Sequence, residues 1–224
     1  MSAGSSSAIA VSLVAVPAAL SIVLASSQLA PVARVIDVKR PAIAVAAVVW
    51  AILLPATLAG IAGPGWLIPT AVFAWGGLAI ALCDLAALRA PHILSILLCG
   101  AGVAFAASAG DARAIAAAAT AIGAYVFLQA ARLAFRRARG FDGMGGGDPG
   151  VMAALGAWLG PLGAPWALAV ASVLGLAMVL AIPRLRHKRA RLAFSPFLVV
   201  GAAVVAIVQA AFGADPFWSL GVAP

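Results

Sequence analysis

Glutamate is absent, and the only acids are six aspartates, set against 14 lysines and arginines. Charged residues make up 9% of the 224 positions, where a soluble domain carries about a quarter, while 65% are hydrophobic. Charge this sparse excludes an ordinary soluble domain. Cysteine is almost as scarce: Cys83 and Cys99 stand 16 positions apart with no CxxC pair, and the histidines are only His92 and His187. That supply is too small for a structural zinc site, so no metal or other cofactor is expected, and both thiols read as small apolar filler. His92 follows Pro91 at the start of an apolar run, where a cap or interface role comes before a catalytic one. A pI near 11.3 would suit nucleic acid in a soluble protein. In a chain this apolar, basic residues mark the cytoplasmic loops instead, and no nucleic-acid partner is expected.

Apolar runs broken by proline, glycine or charge predict about eight helical segments: 8–30, 41–61, 66–86, 91–109, 114–134, 149–160, 164–182 and 194–213. The sixth is too short to cross a bilayer at 1.5 Å per residue, so it either tilts into a thinned bundle or is a half-helix lining a cavity. The fold class is all-α, a polytopic helical bundle forming a single integral membrane domain over residues 1–224. With Met1 outside, 13 of the 14 basic residues fall on the inner side and only Arg113 falls outside, which orients the chain by the positive-inside rule. Trp66, Trp158, Trp166 and Trp218 then lie near the outer surface, where indole rings favour the interface, with core packing the alternative for any one of them. No basic residue precedes the first apolar stretch, so a cleaved signal peptide is not expected. The 23 glycines and abundant alanines predict closely approaching helices.

With so few acids, each can be weighed alone. Asp111 and Asp215 read as solvated charges of the outer loop and tail, and Asp37 sits among Arg34, Lys39 and Arg40. Asp142 follows a cluster of arginines in a glycine-rich loop and reads the same way. Asp84 differs, because it ends the apolar run from Trp66 and lies about 27 Å along the helix from that tryptophan. It is near the inner end of a span yet still within it, where an ionisable group by default faces the bundle or a wet cavity; snorkelling or capping of the next helix is the alternative. Asp148 closes Gly145-Gly146-Gly147-Asp148 ahead of Pro149. Helix capping accounts for the aspartate and the proline. It does not account for three glycines, which permit conformations and close approaches that side chains forbid. Both aspartates thus stand at the inner ends of helices. Brought together, two carboxyls share a proton, the ionised one activating water and the protonated one polarising a carbonyl.

These residues resemble a family. Asp84-Leu-Ala-Ala-Leu-Arg-Ala-Pro91-His92 is similar to the Asp of the type IV prepilin peptidases, followed seven residues later by Pro and then Asn or Asp. Gly145-Gly146-Gly147-Asp148 and the helix through Gly160 resemble the GxGD motif of these intramembrane aspartyl proteases, distant counterparts of presenilin. Phe194-Ser195-Pro196-Phe197-Leu198 through Gly201-Ala202 resembles the family's terminal PFGPFLALGA helix. The likeness covers about residues 66–213, the peptidase-like core, and leaves two accessory spans in 1–61.

The resemblance implies that Asp84 and Asp148 are a metal-independent catalytic pair at the cytoplasmic face of the inner membrane. Gly145 and Gly147 would give the second aspartate its mobility, with Gly146 completing the turn and Pro91, His92 and Pro196 in support. It implies a prepilin or pseudopilin substrate cut at its leader, with membrane lipid as the other partner; nothing in the residues specifies an oligomeric state. The zinc loop that accompanies N-methyltransferase activity in the family shrinks here to about 31–40 with no cysteine, so peptidase activity without N-methylation is expected. Gly150 stands where the family usually has Lys, and His92 where it has Asn or Asp. A proton- or cation-coupled transporter, with the aspartates as ion sites and the glycine run as a broken helix, and a noncatalytic family member that scaffolds pilus assembly are the alternative readings.

Overall fold

A computed structural model describes residues 41–140, 145–181, 193–212 and 217, with side chains from residue 50 onward. The predicted first span (8–30), the first inner loop and the basic loop at 184–191 lie outside the described residues, as does Trp218. Every regular element among the described residues is a helix: α1 (Pro41–Ala62), a 3-10 turn (Pro64–Trp66), α2 (Leu67–Ala87), α3 (His92–Ala107), α4 (Asp111–Arg139), α5 (Asp148–Ala181) and α6 (Ser195–Ala211). Among the described residues three helical stretches are long and apolar enough to cross a membrane, 64–87, 111–139 and 148–181, the last of them bent at Gly160; the apolar stretches Trp50–Ala62, His92–Ala107 and Ser195–Ala211 are shorter. Large apolar side chains such as Ile96, Ile115, Ile122, Phe127 and Leu176 point outward, as they do where lipid is the solvent.

Helix α4 outruns the apolar segment predicted at 114–134. Its 29 residues extend about 43 Å, the hydrocarbon core plus both headgroup layers. Asp111 in its first turn and Arg136, Arg137 and Arg139 in its last complement the helix dipole, and Gly140 closes it in a left-handed conformation (φ 75°).

The sixth and seventh predicted segments are the two arms of α5, separated at Gly160 (φ 70°, ψ −176°) with Pro161 behind it. Neighbours show that the chain reverses there. Along the first arm Gly147 faces Ala90, Gly150 faces Ser95, and Trp158 packs on Gly102, so this arm runs parallel to α3. Along the second, Gly163 faces Val205, Gly201 meets Ala167, and Gly175 faces Phe194, so this arm runs antiparallel to α6. The first arm is short because a residue with positive φ followed by proline ends it.

Trp158 is not an interfacial residue. It is 1% exposed, its indole N–H donates to the Leu98 carbonyl at 2.8 Å, and its ring stacks on Phe105 and meets Phe73 and Phe217. Trp66 joins this cluster through Phe105 and Phe217, whereas Trp166 is exposed as expected. An indole belongs in a core once its N–H finds a carbonyl.

Small residues set the helix spacing. A methyl group on Gly201 would stand 2.5 Å from the Ala167 carbonyl oxygen and 3.1 Å from the Ala171 nitrogen, both of them backbone atoms that cannot swing aside. Gly201→Ala is therefore expected to force α5 and α6 apart at a cost of about 1–3 kcal/mol, read as a lowered melting temperature of the detergent-solubilised protein. Gly123→Ala, inside α4 with open space around it, is the control and should melt no lower than the wild type, since alanine is favoured over glycine in a helix interior by about 0.5–1 kcal/mol.

Candidate active site

The buried face of α2 is a helical stripe, Phe73, Gly77, Ile80 and Asp84, at spacings of four, three and four. Its last member is a carboxylate rather than a hydrocarbon, and it is 5% exposed. One turn later Leu88 takes the left-handed conformation (φ 52°), its N–H donating to the Asp84 carbonyl at 2.7 Å, and α2 ends. Asp84 therefore lies at the last turn of the helix with its side chain turned into the bundle, as the residue pattern predicted.

Asp148 arrives from the other side. Gly145, Gly146 and Gly147 form a turn that delivers it, 2% exposed, to the start of α5. Its carboxyl oxygens do not serve as an ordinary helix cap. Oδ2 accepts the Gly145 N–H at 3.0 Å, and Oδ1 accepts the Ser195 hydroxyl at 2.9 Å. Gly147 is buried against the backbone of the α2–α3 linker, whereas Gly145 and Gly146 are exposed.

Ser195 joins the two aspartates. Its N–H donates to Asp84 Oδ2 at 3.1 Å while its hydroxyl donates to Asp148 Oδ1, across 111 and 47 residues of chain. The two carboxyls are near enough to act on one another electrostatically. Both line a cavity of about 520 Å³ with Cys83, the linker from Ala87 to Pro91, His92 and the glycine turn. That volume suits a small ligand or a few residues of extended peptide.

The remaining predicted residues divide. Pro91 (φ −68°, ψ 121°) starts α3 and lines the cavity. His92 sits exposed beside it on the Gly150 side. Pro196 is in the first turn of α6 and does not line the cavity; having no N–H, it leaves the Ser195 amide as the donor at that helix end. Among the described residues no three His, Cys or Asp side chains gather as metal ligands.

Two neighbours of the pair escaped the residue pattern. Ser195 lies within a motif whose proline and phenylalanines carried the likeness, and nothing in its spacing pointed across the bundle. Arg132 is one of the 13 basic residues that the positive-inside rule places on the inner side; its guanidinium packs over Gly146 and its charge acts on Asp148. A hydroxyl in place of glycine in the PFGPFLALGA pattern was the one available signal for the serine.

Residues 71–180 match the type IV leader peptidase family, and that stretch contains both aspartates and the glycine turn. Over it, the chain belongs to this family. A prepilin leader peptidase/N-methyltransferase of Aeromonas hydrophila is 31% identical over 151 residues, 66% of this chain and 52% of the relative. Its namesake in Burkholderia pseudomallei (strain 1026b) is 38% identical over 103 residues, 45% of this chain and 31% of the relative. The chain thus spans about half the length of the first relative and less of the second. No solved structure matches at a significant level. Ser195 lies beyond the stretch that matches the family.

Proposed function

We propose that the chain is a membrane-embedded aspartyl endopeptidase that removes the leader of type IV prepilins or pseudopilins, without methylating the new N-terminus. The observation that carries this reading is the meeting of Asp84 and Asp148 on Ser195 at the wall of one cavity, within a bundle whose matched family is named for leader peptidase. In the reaction, the ionised carboxyl takes a proton from water as the water oxygen attacks the scissile carbonyl carbon. The protonated carboxyl gives its proton to the carbonyl oxygen. Collapse of the tetrahedral diol breaks the C–N bond, and the amine leaves with a proton returned from the pair.

The side on which this happens follows from charge. The ends of α2, α4 and the α2–α3 linker nearest the aspartates carry Arg89, Arg132, Arg136, Arg137 and Arg139, and such clusters stay in the cytoplasm. The pair therefore works at the cytoplasmic face of the inner membrane, with the N-terminus outside and about eight segments in all. A leader that crosses no bilayer reaches it directly.

Co-expression with a prepilin should shorten it by its leader, and mass spectrometry of the product should show an unmodified N-terminal amine. An intact prepilin would refute the peptidase reading. A methyl increment on the cleaved product would refute the absence of N-methylation.

A further inference from the structure

Three buried hydroxyls among the described residues behave in two ways. Thr70 donates to the Trp66 and Leu67 carbonyls and Ser95 to the Pro91 carbonyl, each within its own stretch of chain, as such residues commonly do. Ser195 is fully buried too, but its bonds leave its helix altogether. It does not line the cavity. The two carboxyls that it bonds do line it.

Its place in α6 explains the convergence. A helix start leaves orphan N–H groups, and Phe194, the capping residue, makes no side-chain bond to them. Asp84 accepts the Ser195 N–H from another helix, and thereby meets the positive end of the α6 dipole. That bond needs only a main-chain amide. The second bond, to Asp148, needs the hydroxyl.

We propose that Ser195 is a positioning residue for the aspartyl pair, its hydroxyl holding Asp148 in register with the Asp84 carboxyl that its own amide anchors. The inference rests on the peptidase reading for its kinetics but not for its geometry. Through it the docking of α6 and the alignment of the pair become one event. Loss of the hydroxyl frees Asp148 Oδ1 while the Asp84 bond stays. Because Ser195 does not line the cavity, substrate binding should not feel the change.

The test uses the full chain in proteoliposomes with a prepilin substrate, comparing wild type, Ser195→Ala and Ser195→Thr at matched folded fraction. Ser195→Ala should lower kcat about ten- to a hundredfold, the loss of one hydrogen bond to an ionisable group, with KM within about twofold of wild type. Ser195→Thr should recover most of that kcat, although its extra methyl burdens a filled site more than alanine does; a purely packing role predicts the opposite order. Infrared carboxyl and carboxylate bands of the same proteins, assigned to Asp148 by their loss in Asp148→Asn, should shift in Ser195→Ala. Wild-type kcat in Ser195→Ala, or an unshifted Asp148 band, would overturn the proposal. Should the wild-type protein leave prepilin uncut, the peptidase reading falls, and the infrared comparison alone decides the role of Ser195.

Discussion

Replacing either aspartate by asparagine is expected to lower prepilin cleavage by about 10²–10⁴-fold, the usual contribution of a positioned acid or base. Replacing both should lower it no further than the worse single change, since two groups that act as one unit do not lose rate additively. Asp84→Asn is the cleaner variant. Asp84 Oδ2 accepts the Ser195 amide, and the asparagine carbonyl can still accept it. In Asp148 both oxygens accept, from Gly145 and Ser195, so an amide must set one N–H against the Gly145 donor or oblige the serine hydroxyl to turn round. Asp148→Asn should accordingly melt lower than Asp84→Asn while matching it in lost activity. The readout is leader removal in proteoliposomes alongside a melting curve. Cleavage above about a tenth of wild type in either variant removes the pair from the chemistry. Proton-coupled flux, lost in both variants of a protein that never cleaves, would instead support the transporter reading.

Much of the bundle could be read from the chain because lipid imposes a simple rule: backbone polar groups must be satisfied within the segment. The predicted runs 41–61, 66–86, 91–109 and 194–213 correspond to helices within a few residues. Helix α4 ran longer than predicted because hydropathy measures the hydrocarbon, while the helix continues through the headgroup layer on charged side chains that reach water. The segment 149–160 looked too short to span, and its shortness has a cause that composition alone does not display. Gly160 carries the reversal, and the proline behind it marks the break, whereas Gly156 and Gly163 precede alanine and serve close packing; that the break turns the chain back on itself is set by packing. Trp158 failed the interfacial expectation for a related reason. An indole near a segment end faces lipid or core according to whether a carbonyl such as that of Leu98 comes within reach of its N–H, and this depends on a helix 60 residues away.

The aspartates were legible because they were few. With no glutamate and six aspartates, an acid at the end of an apolar run and another behind three glycines stood out by cost alone. Their meeting was not legible, since α2 and α5 are far apart in sequence and their rotation about their own axes is set by packing. Ser195 was the harder residue to see. Serine carries no charge, costs little in a membrane helix, and is usually spent on a local carbonyl, as Ser95 is. Arg132 was hidden by abundance, one arginine among several that all satisfy the same topological rule.

Gly147→Ala is expected to reduce cleavage by about a hundredfold, the scale of loss when a reacting group is misplaced by about an ångström. The added methyl would stand 2.6 Å from the Ala90 carbonyl oxygen and 2.7 Å from the Ala90 Cβ. Ala90 belongs to the linker that follows Asp84, and Gly147 immediately precedes Asp148. Whichever backbone gives way therefore moves one aspartate relative to the other. Gly146 stands beside it in sequence and differs in every relevant respect: it is exposed, and the nearest atoms to a methyl there are the Arg132 guanidinium nitrogens at 3.7 Å, an ordinary contact with the far end of a flexible side chain. Gly146→Ala should retain activity within about threefold, as surface changes away from special features do. Gly145 falls between the two, since its methyl would lie 3.0 Å from the Asp148 Oδ2 that its own N–H binds. Pairing Gly147→Ala with Ala90→Gly separates the two contacts. It removes the Cβ clash and leaves the carbonyl clash, so the double variant should stay as inactive as the single one. Recovery in that pair would place the constraint in the side chain, and equal losses in Gly147→Ala and Gly146→Ala would show that the turn needs flexibility rather than close approach. The expected ordering, severe at Gly147 and mild at Gly146, is the signature of a turn kept bare so that two helices can bring their carboxyls together.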